Sequence, residues 1–328
     1  FDTLDLSRIM LPAVPSHSLP QLSRQLGLRH PHPHRALSDA DAARQLFRYL
    51  WQFARGFPAE LLDRMLEVAD RWPHPIHHFL EGARGSGASR VDSMPPATMS
   101  VVRPARPDAP STDPQAIRAL LGPDGPMAGV LDDYELRESQ LQMTLAIAQL
   151  YARGGRLLVE AGPGTGKSLA YLVPAVHHAV ARGERVVVAT NTITLQEQLF
   201  SKDIPFMRSW LPFDFKASLL KGRSNYVSLR RWNRYLNAPS RRADGTWFDD
   251  EVKFKLRMLV WLAQTPNGDR SEIKLNGFDE LFWLRAASTA DDCMAAHCEN
   301  YKAQRCFYWN SRRAAQDADL IVTNHALL

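Results

Sequence analysis

Apolar positions along this chain follow two periods, and each predicts an element. Ala43, Leu46, Phe47, Leu50 and Trp51 recur at steps of three and four, which predicts an amphipathic helix with Ser38 as its N-cap. The segments Arg156–Glu160, Arg185–Ala189 and Asp319–Thr323 carry short uninterrupted aliphatic runs, the mark of strands buried on both faces. Between them, helical periods cover about Leu141–Ala152, residues 168–181 and about Leu195–Phe200, so the chain from about Asp113 alternates strand and helix. That alternation predicts an α/β fold with a parallel sheet. The stretch 222–316 breaks the rhythm with charged, helical and aromatic segments around Trp232, Trp247, Trp261 and Trp283, and reads as an insertion. Residues 1–83 read as a mostly helical piece, and 84–114 as a linker. Six prolines occur from Arg84 through Pro114, and no aromatic residue occurs between Phe79 and Tyr134, so that segment has little to bury.

The first strand ends in Ala161-Gly-Pro-Gly-Thr-Gly-Lys-Ser168. A triphosphate needs several donors converging on one anion, and a glycine-rich turn lets successive backbone N–H groups point inward. Gly162, Pro163, Gly164, Thr165 and Gly166 form that turn. Lys167 is placed to reach the β and γ phosphates, Ser168 to ligate Mg²⁺, and the following helix contributes its positive end. Ala161 stands where the usual pattern has its first glycine. A nucleoside triphosphate site in a RecA-like domain follows, with Lys167 and Ser168 as catalytic candidates.

Composition narrows the class. The 328 residues leave room for two domains, and 45% hydrophobic content is that of a globular chain. A net charge of +5 is compatible with a polyanionic partner without requiring one. No apolar run approaches the ~20 residues of a membrane span, and no signal sequence opens the chain, so no membrane partner and a cytoplasmic location are expected. The chain starts at Phe1 and stops within an apolar run, and reads as a piece of a longer polypeptide.

Three further clusters carry chemistry. Thr190, Asn191, Thr192 and Thr194 gather at the tip of the second strand, on the side where ligands of open α/β sheets bind, and their hydroxyls suit a sugar-phosphate backbone. Thr192 or Thr194 also serves as a helix cap. Lys221, Arg223, Arg230, Arg231, Arg234, Arg241 and Arg242 are interleaved with Tyr226, Trp232 and Tyr235, a pattern that holds single strands by charge and stacking. On a helix, Tyr226, Leu229 and Trp232 share one face, so Trp232 is expected in the core while some arginines meet DNA. The three cysteines, Cys293, Cys298 and Cys306, are all the chain has, and their crowding points to a metal. Finally, His34 and Asp39 have the H-x4-D spacing of a general base and a metal ligand. Read otherwise, this is a helix entry capped by Ser38.

Taken in order, Val159–Tyr171, Ala189–Leu199, Leu220–Tyr226 and Ala318–Leu328 resemble the DinG branch of superfamily 2 DNA helicases, relatives of XPD, from about residue 115 to the end. The resemblance implies an ATP-dependent helicase moving 5′ to 3′ on single-stranded DNA, acting as a monomeric motor. Through Glu135-Leu-Arg-Glu-Ser-Gln140 it assigns Arg137 and Gln140 to the adenine side. It also implies a 4Fe-4S cluster whose fourth ligand, an upstream cysteine in the family, is Ser228 here. Three outcomes stay open: a cluster with Ser228 or water at one iron, a three-iron cluster, or zinc held by the cysteines and His297. The family's DEAH-type box and its second RecA-like domain lie beyond Leu328, so this piece alone is expected not to hydrolyse ATP. The stretch Asp2–Ala40 resembles the last third of a DnaQ-like, RNase H-fold 3′–5′ exonuclease, which some DinG proteins carry at the N-terminus. Its Asp-x-Glu carboxylates would precede Phe1. Two rival readings are a nucleic-acid-binding module with an ATP switch and a P-loop small-molecule kinase.

Overall fold

The computed structural model describes residues 2–70, 72, 74–85, 110, 113–240 and 248–328. Most of the predicted linker, together with Arg241, Arg242 and Trp247, lies outside the described residues. In chain order the helices are α1 (Thr3–Met10), α2 (Leu19–Gln25), α3 (Ala36–Arg55), α4 (Ala59–Ala69), α5 (Ile76–Gly85), α6 (Pro114–Leu120), α7 (Glu138–Arg153) and α8 (Lys167–Arg182). Strand β1 (Val186–Thr190) follows, then α9 (Ile193–Gln198), α10 (Ile204–Trp210) and β2 (Ala217–Leu219). The remainder is α11 (Leu229–Leu236), α12 (Asp249–Leu262), α13 (Asp279–Ala286), α14 (Glu299–Lys302), α15 (Phe307–Gln316) and β3 (Leu320–Asn324).

These elements form two compact units, residues 2–85 with 223–308, and residues 113–222 with 309–328. The second holds a fully parallel sheet in the order β1-β3-β2, with Val186 opposite Leu320 and Thr190 opposite Asn324. This is the RecA-like part. Helix α8 buries Leu172, Val173, Val176, Ala179 and Val180 in the core that Leu320 and Val322 of β3 enter, so the loop before α8 is anchored by the most apolar helix of the unit.

The expected strand Arg156–Glu160 does not form. Leu157, Leu158 and Val159 are exposed, Leu158 by 99%. No described strand pairs with this segment, and an unpaired run has neither ladder hydrogen bonds nor a covered face.

The first unit contains no strand among its described residues. In α3, Leu46 and Leu50 are buried as the periodicity predicts, together with Ala42 and Ala54, while Ala43, Phe47 and Trp51 are half-buried beside them. Its start is three residues upstream of the expected one. Arg35 is the N-cap position, and Ser38 lies inside the first turn, its hydroxyl accepting from His32 N (3.3 Å).

Helix α12 is apolar on nearly all sides, burying Val252, Phe254, Leu256, Met258, Val260 and Trp261, and so needs cover all round. α1, α4 and α13 pack against it, and residues 6–83 share one continuous core with residues 227–287. The sequence offered residues 1–83 as a separate piece. Polar ties follow the same seam: Lys253 meets Asp5 at 2.5 Å, the Trp72 indole donates to Asp249 (2.9 Å), and Lys274 N donates to the Pro12 carbonyl (3.0 Å). The charges on α12 that are buried have partners. Arg257 pairs with Asp279 at 2.5 Å, and Lys255 donates to Ala238 O (2.5 Å).

His17 gives this unit a pH dependence. Burial first, then the charges of Arg257 and Arg8, lower its pKa from 6.5 to about 4. An imidazole held neutral in the folded chain binds its proton more readily when unfolded, so its contribution is complete above pH 6.5 and is lost as pH falls toward 4. The unit's melting temperature is expected to fall over that window, and His17→Leu to flatten the fall; an unchanged profile would exclude His17 as its cause.

Candidate nucleotide site

The loop between residues 161 and 166 turns through two positive-φ glycines, Gly164 (+78°) and Gly166 (+74°), which L side chains adopt only with strain. Gly166 is the residue from which α8 departs. The Thr165 hydroxyl closes the turn on Gly162 O (3.0 Å). The Lys167 ammonium folds over the loop and donates to the carbonyls of Ala161 (3.0 Å) and Gly162 (2.7 Å). It is a mobile cation on the rim of a helix N-terminus, the arrangement an anion enters by replacing those two carbonyls.

Two α7-side residues brace the loop from behind. Arg137 Nη1 donates to Gly164 O (2.9 Å), and the buried Gln140 amide donates to Gly166 O (2.9 Å). A Cβ on Gly166 would lie 2.2 Å from Gln140 Nε2. Both donors fix the backbone of the loop in this structure.

The candidates for a DNA face divide. Thr192 caps α9, its hydroxyl accepting from Leu195 N (3.2 Å), and Thr190, buried in the sheet, donates to Thr192 O (2.8 Å). Thr190 is thus a structural hydroxyl here. Lys221 is 1% exposed and paired with Glu197 at 2.6 Å, which corrects its expected place as a surface cation. A buried ammonium has to be paired, and α9 supplies the carboxylate. Arg223 lies 3.8 Å from the centroid of the Tyr308 ring. Arg230 donates to the Asp292 carbonyl, and Arg231 to the Asp292 carboxylate, so Asp292 neutralises the start of the basic stretch. Trp232 is core, as expected.

The three cysteines are half-buried and form no disulfide with one another. Cys298 is the N-cap position of α14, and Cys306 directly precedes α15. Pairings bring the neighbours of the proposed ligands together: Arg230 and Arg231 reach Asp292 beside Cys293, Ser228 N donates to Ala286 O (2.8 Å), and Tyr226 meets Tyr308 at a ring distance of 6.0 Å. The Ser228 hydroxyl caps α11 by accepting from Arg231 N (3.4 Å). A single tetrahedral zinc with ~2.3 Å bonds would set thiolates ~3.8 Å apart. Among the described residues the one set of such donor atoms gathered within 4.8 Å is His77, His78 and Glu81, so the thiols, with exposed His297, do not form a zinc-sized cage.

The His34 and Asp39 pair also differs from its expected use. The Asp39 carboxylate accepts from His30 Nε2 (2.6 Å) and from the backbone N–H of His34 (3.2 Å). The hydrogen bond from His30 is the main cause that holds its pKa below the ordinary range. His34 stands at φ +68°, exposed, and its imidazole is not the partner of Asp39.

Comparisons with known proteins agree on one family. Residues 140–235 match the DEAD/DEAH box helicase model. The whole chain is similar to "3'-5' exonuclease DinG" of Bacillus subtilis, 30% identical over 336 residues and covering 35% of that protein. It is 36% identical over 205 residues, 62% of this chain and 30% of the relative, to "ATP-dependent DNA helicase YoaA" of Escherichia coli. "3'-5' exonuclease DinG" of Staphylococcus aureus is 27% identical over 331 residues, again the whole chain and 35% of the relative. The chain thus spans about a third of the length of the curated relatives it matches.

Proposed function

Because the chain belongs to the DinG-type branch of the DEAD/DEAH box helicases, we propose that the polypeptide it represents couples ATP hydrolysis to movement along single-stranded DNA. The observation that carries this reading is the braced loop: two left-handed glycines, a lysine folded over loop carbonyls and a serine at the start of α8, on a unit built around a parallel sheet. The loop N–H groups and Lys167 take the phosphates, and Ser168 ligates the Mg²⁺ that accompanies them. Arg137 and Gln140 keep the loop backbone in place while Lys167 exchanges carbonyls for phosphate oxygens. Movement runs 5′ to 3′ by resemblance. Arg223 and Arg230 are the basic-stretch candidates for the strand, released from Tyr308 and Asp292 when phosphate competes for them.

Cys293, Cys298 and Cys306 hold an iron–sulfur cluster that ties the ends of the insertion together. Three cysteines in half-buried positions support this group, with Ser228 or water completing the fourth iron. The N-terminal segment belongs to a DnaQ-like 3′–5′ exonuclease domain, to which Asp39 contributes a metal ligand and His34 a base once His30 yields the carboxylate. The protein works in the cytoplasm as a monomeric motor.

The test is the DNA dependence of hydrolysis by the full polypeptide. Single-stranded DNA is expected to raise ATP turnover severalfold or more; turnover indifferent to DNA would remove the helicase reading and favour an ATP-switched binding module. For the cluster, anaerobic purification should yield iron and acid-labile sulfide, lost in Cys298→Ala. Zinc without iron would refute it.

A further inference from the structure

Helix α5 buries Ile76, Phe79, Leu80 and Ala83 against the core of its unit, and leaves His78 and Glu81 exposed with His77 half-buried beside them. Neighbouring residues on a helix point about 100° apart and do not face one another. Here the two adjacent histidines nevertheless converge. His77 Nδ1 and His78 Nδ1 approach one and the same atom, Glu81 Oε2, at 3.4 Å and 3.3 Å. Their rings stand nearly perpendicular, with centroids 6.0 Å apart, and the three donor atoms lie within 4.8 Å of one another.

Hydrogen bonding alone does not account for this arrangement. A charge-assisted N–H···O bond closes to ~2.7–2.9 Å, and both approaches are longer. Two ligand atoms on one tetrahedral cation, at bond lengths of ~2.0–2.1 Å, stand ~3.3 Å apart, which is the spacing found. The neighbouring groups are engaged elsewhere. Arg84, the cation one turn further along α5, pairs with Asp63 at 2.8 Å, while His74 accepts from Ile76 N (3.2 Å) and stacks on Trp72 at a ring distance of 4.2 Å. We propose that His77, His78 and Glu81 form a divalent-metal site of the zinc class, bound through the two Nδ1 atoms and Oε2, with water completing the coordination. Two imidazole nitrogens select zinc, copper or nickel over Mg²⁺ and Ca²⁺, which take oxygen ligands. The spacing i, i+1, i+4 makes the cation a cross-link between the first two turns of α5. The site is separate from the phosphate loop, from the cysteines and from His34 and Asp39, and does not depend on the role given to any of them.

The experiment measures amide exchange within α5 of the full polypeptide, purified anaerobically, in metal-free buffer, in Zn²⁺ and in Mg²⁺. A ligand that binds only the folded helix slows its opening by the factor one plus concentration over dissociation constant. Zn²⁺ at about 100 times its dissociation constant is therefore expected to slow exchange in α5 by about 100-fold, and equal Mg²⁺ to leave it unchanged. His77→Ala/His78→Ala should exchange as wild type does without metal and lose the response to Zn²⁺; Glu81→Gln should weaken it. Replacing all three cysteines by alanine should leave the response in α5 intact. Exchange in α5 that ignores Zn²⁺, or that responds equally to Mg²⁺, would overturn the site. So would a response that survives in His77→Ala/His78→Ala or vanishes with the cysteines, since the ion would then be held elsewhere. Binding by wild type no tighter than by His78→Ala would mark an adventitious ion on a lone surface histidine, and equally refute it.

Discussion

Lys167→Ala in the full polypeptide is expected to lower single-stranded-DNA-stimulated ATP turnover by at least ~100-fold, the loss typical of removing one preorganised charge donor from a reacting centre. The structure gives this result a clean control. The Lys167 ammonium is exposed and bonds to two loop carbonyls that are themselves open to water, so its removal leaves no buried group unpaired. The melting temperature should therefore stay close to that of wild type, as for surface substitutions within about 0.5 kcal/mol. Gly166→Ala reaches a similar loss by another route. A side chain at φ +74° costs roughly 1–2 kcal/mol, and its Cβ would displace the Gln140 amide that holds Gly166 O. Nucleotide binding should fall there even though Lys167 is intact. Turnover within a few-fold of wild type for Lys167→Ala would show that this loop is not the phosphate site.

How far this was legible depends on the range of the interactions. The glycine loop, α8 and the flanking strands β1 and β3 could be read because each is specified by residues within about twenty positions of one another. The core place of Trp232 followed from the period of its own helix. The failures share one cause. Arg156–Glu160 has the composition of a strand, but a strand needs a partner edge, and no pattern within the segment supplies one. Lys221 looked like a cation for DNA because Glu197, its partner 24 residues upstream, is across the unit's fold. Asp292 captures Arg230 and Arg231 from 62 and 61 residues away. Ser38 failed as a cap for a more local reason: Asp39, turned back onto His30 and His34, fixes the chain one turn earlier.

The second large effect concerns the helical unit. Trp261→Ala should destabilise it by about 3–5 kcal/mol, the range for deleting a buried tryptophan, which is a large share of the 5–15 kcal/mol a domain has. Trp261 is 1% exposed on α12 and meets the Trp283 ring edge-on at 5.8 Å, so alanine there leaves a cavity that rigid helices cannot close. The consequence reaches beyond the insertion. Because α12 is covered by α1 and α4, and Leu6, Leu50, Leu62 and Phe79 belong to the same core as Phe254 and Trp283, the N-terminal helices lose their support when α12 loosens. Amide exchange should then accelerate in α3 and α4 together with α12, though α3 and α4 are nearly 200 residues away in sequence. Conversely, Trp72→Phe keeps the apolar bulk and removes the indole donor to Asp249, and should loosen the start of α12 with a much smaller loss of stability. Exchange in α3 and α4 that stays at its wild-type rate in Trp261→Ala would mean that residues 2–85 fold on their own and only lean on the insertion. If they loosen together, α3, the helix that carries Asp39, depends for its stability on the cysteine-bearing insertion packed against the same core.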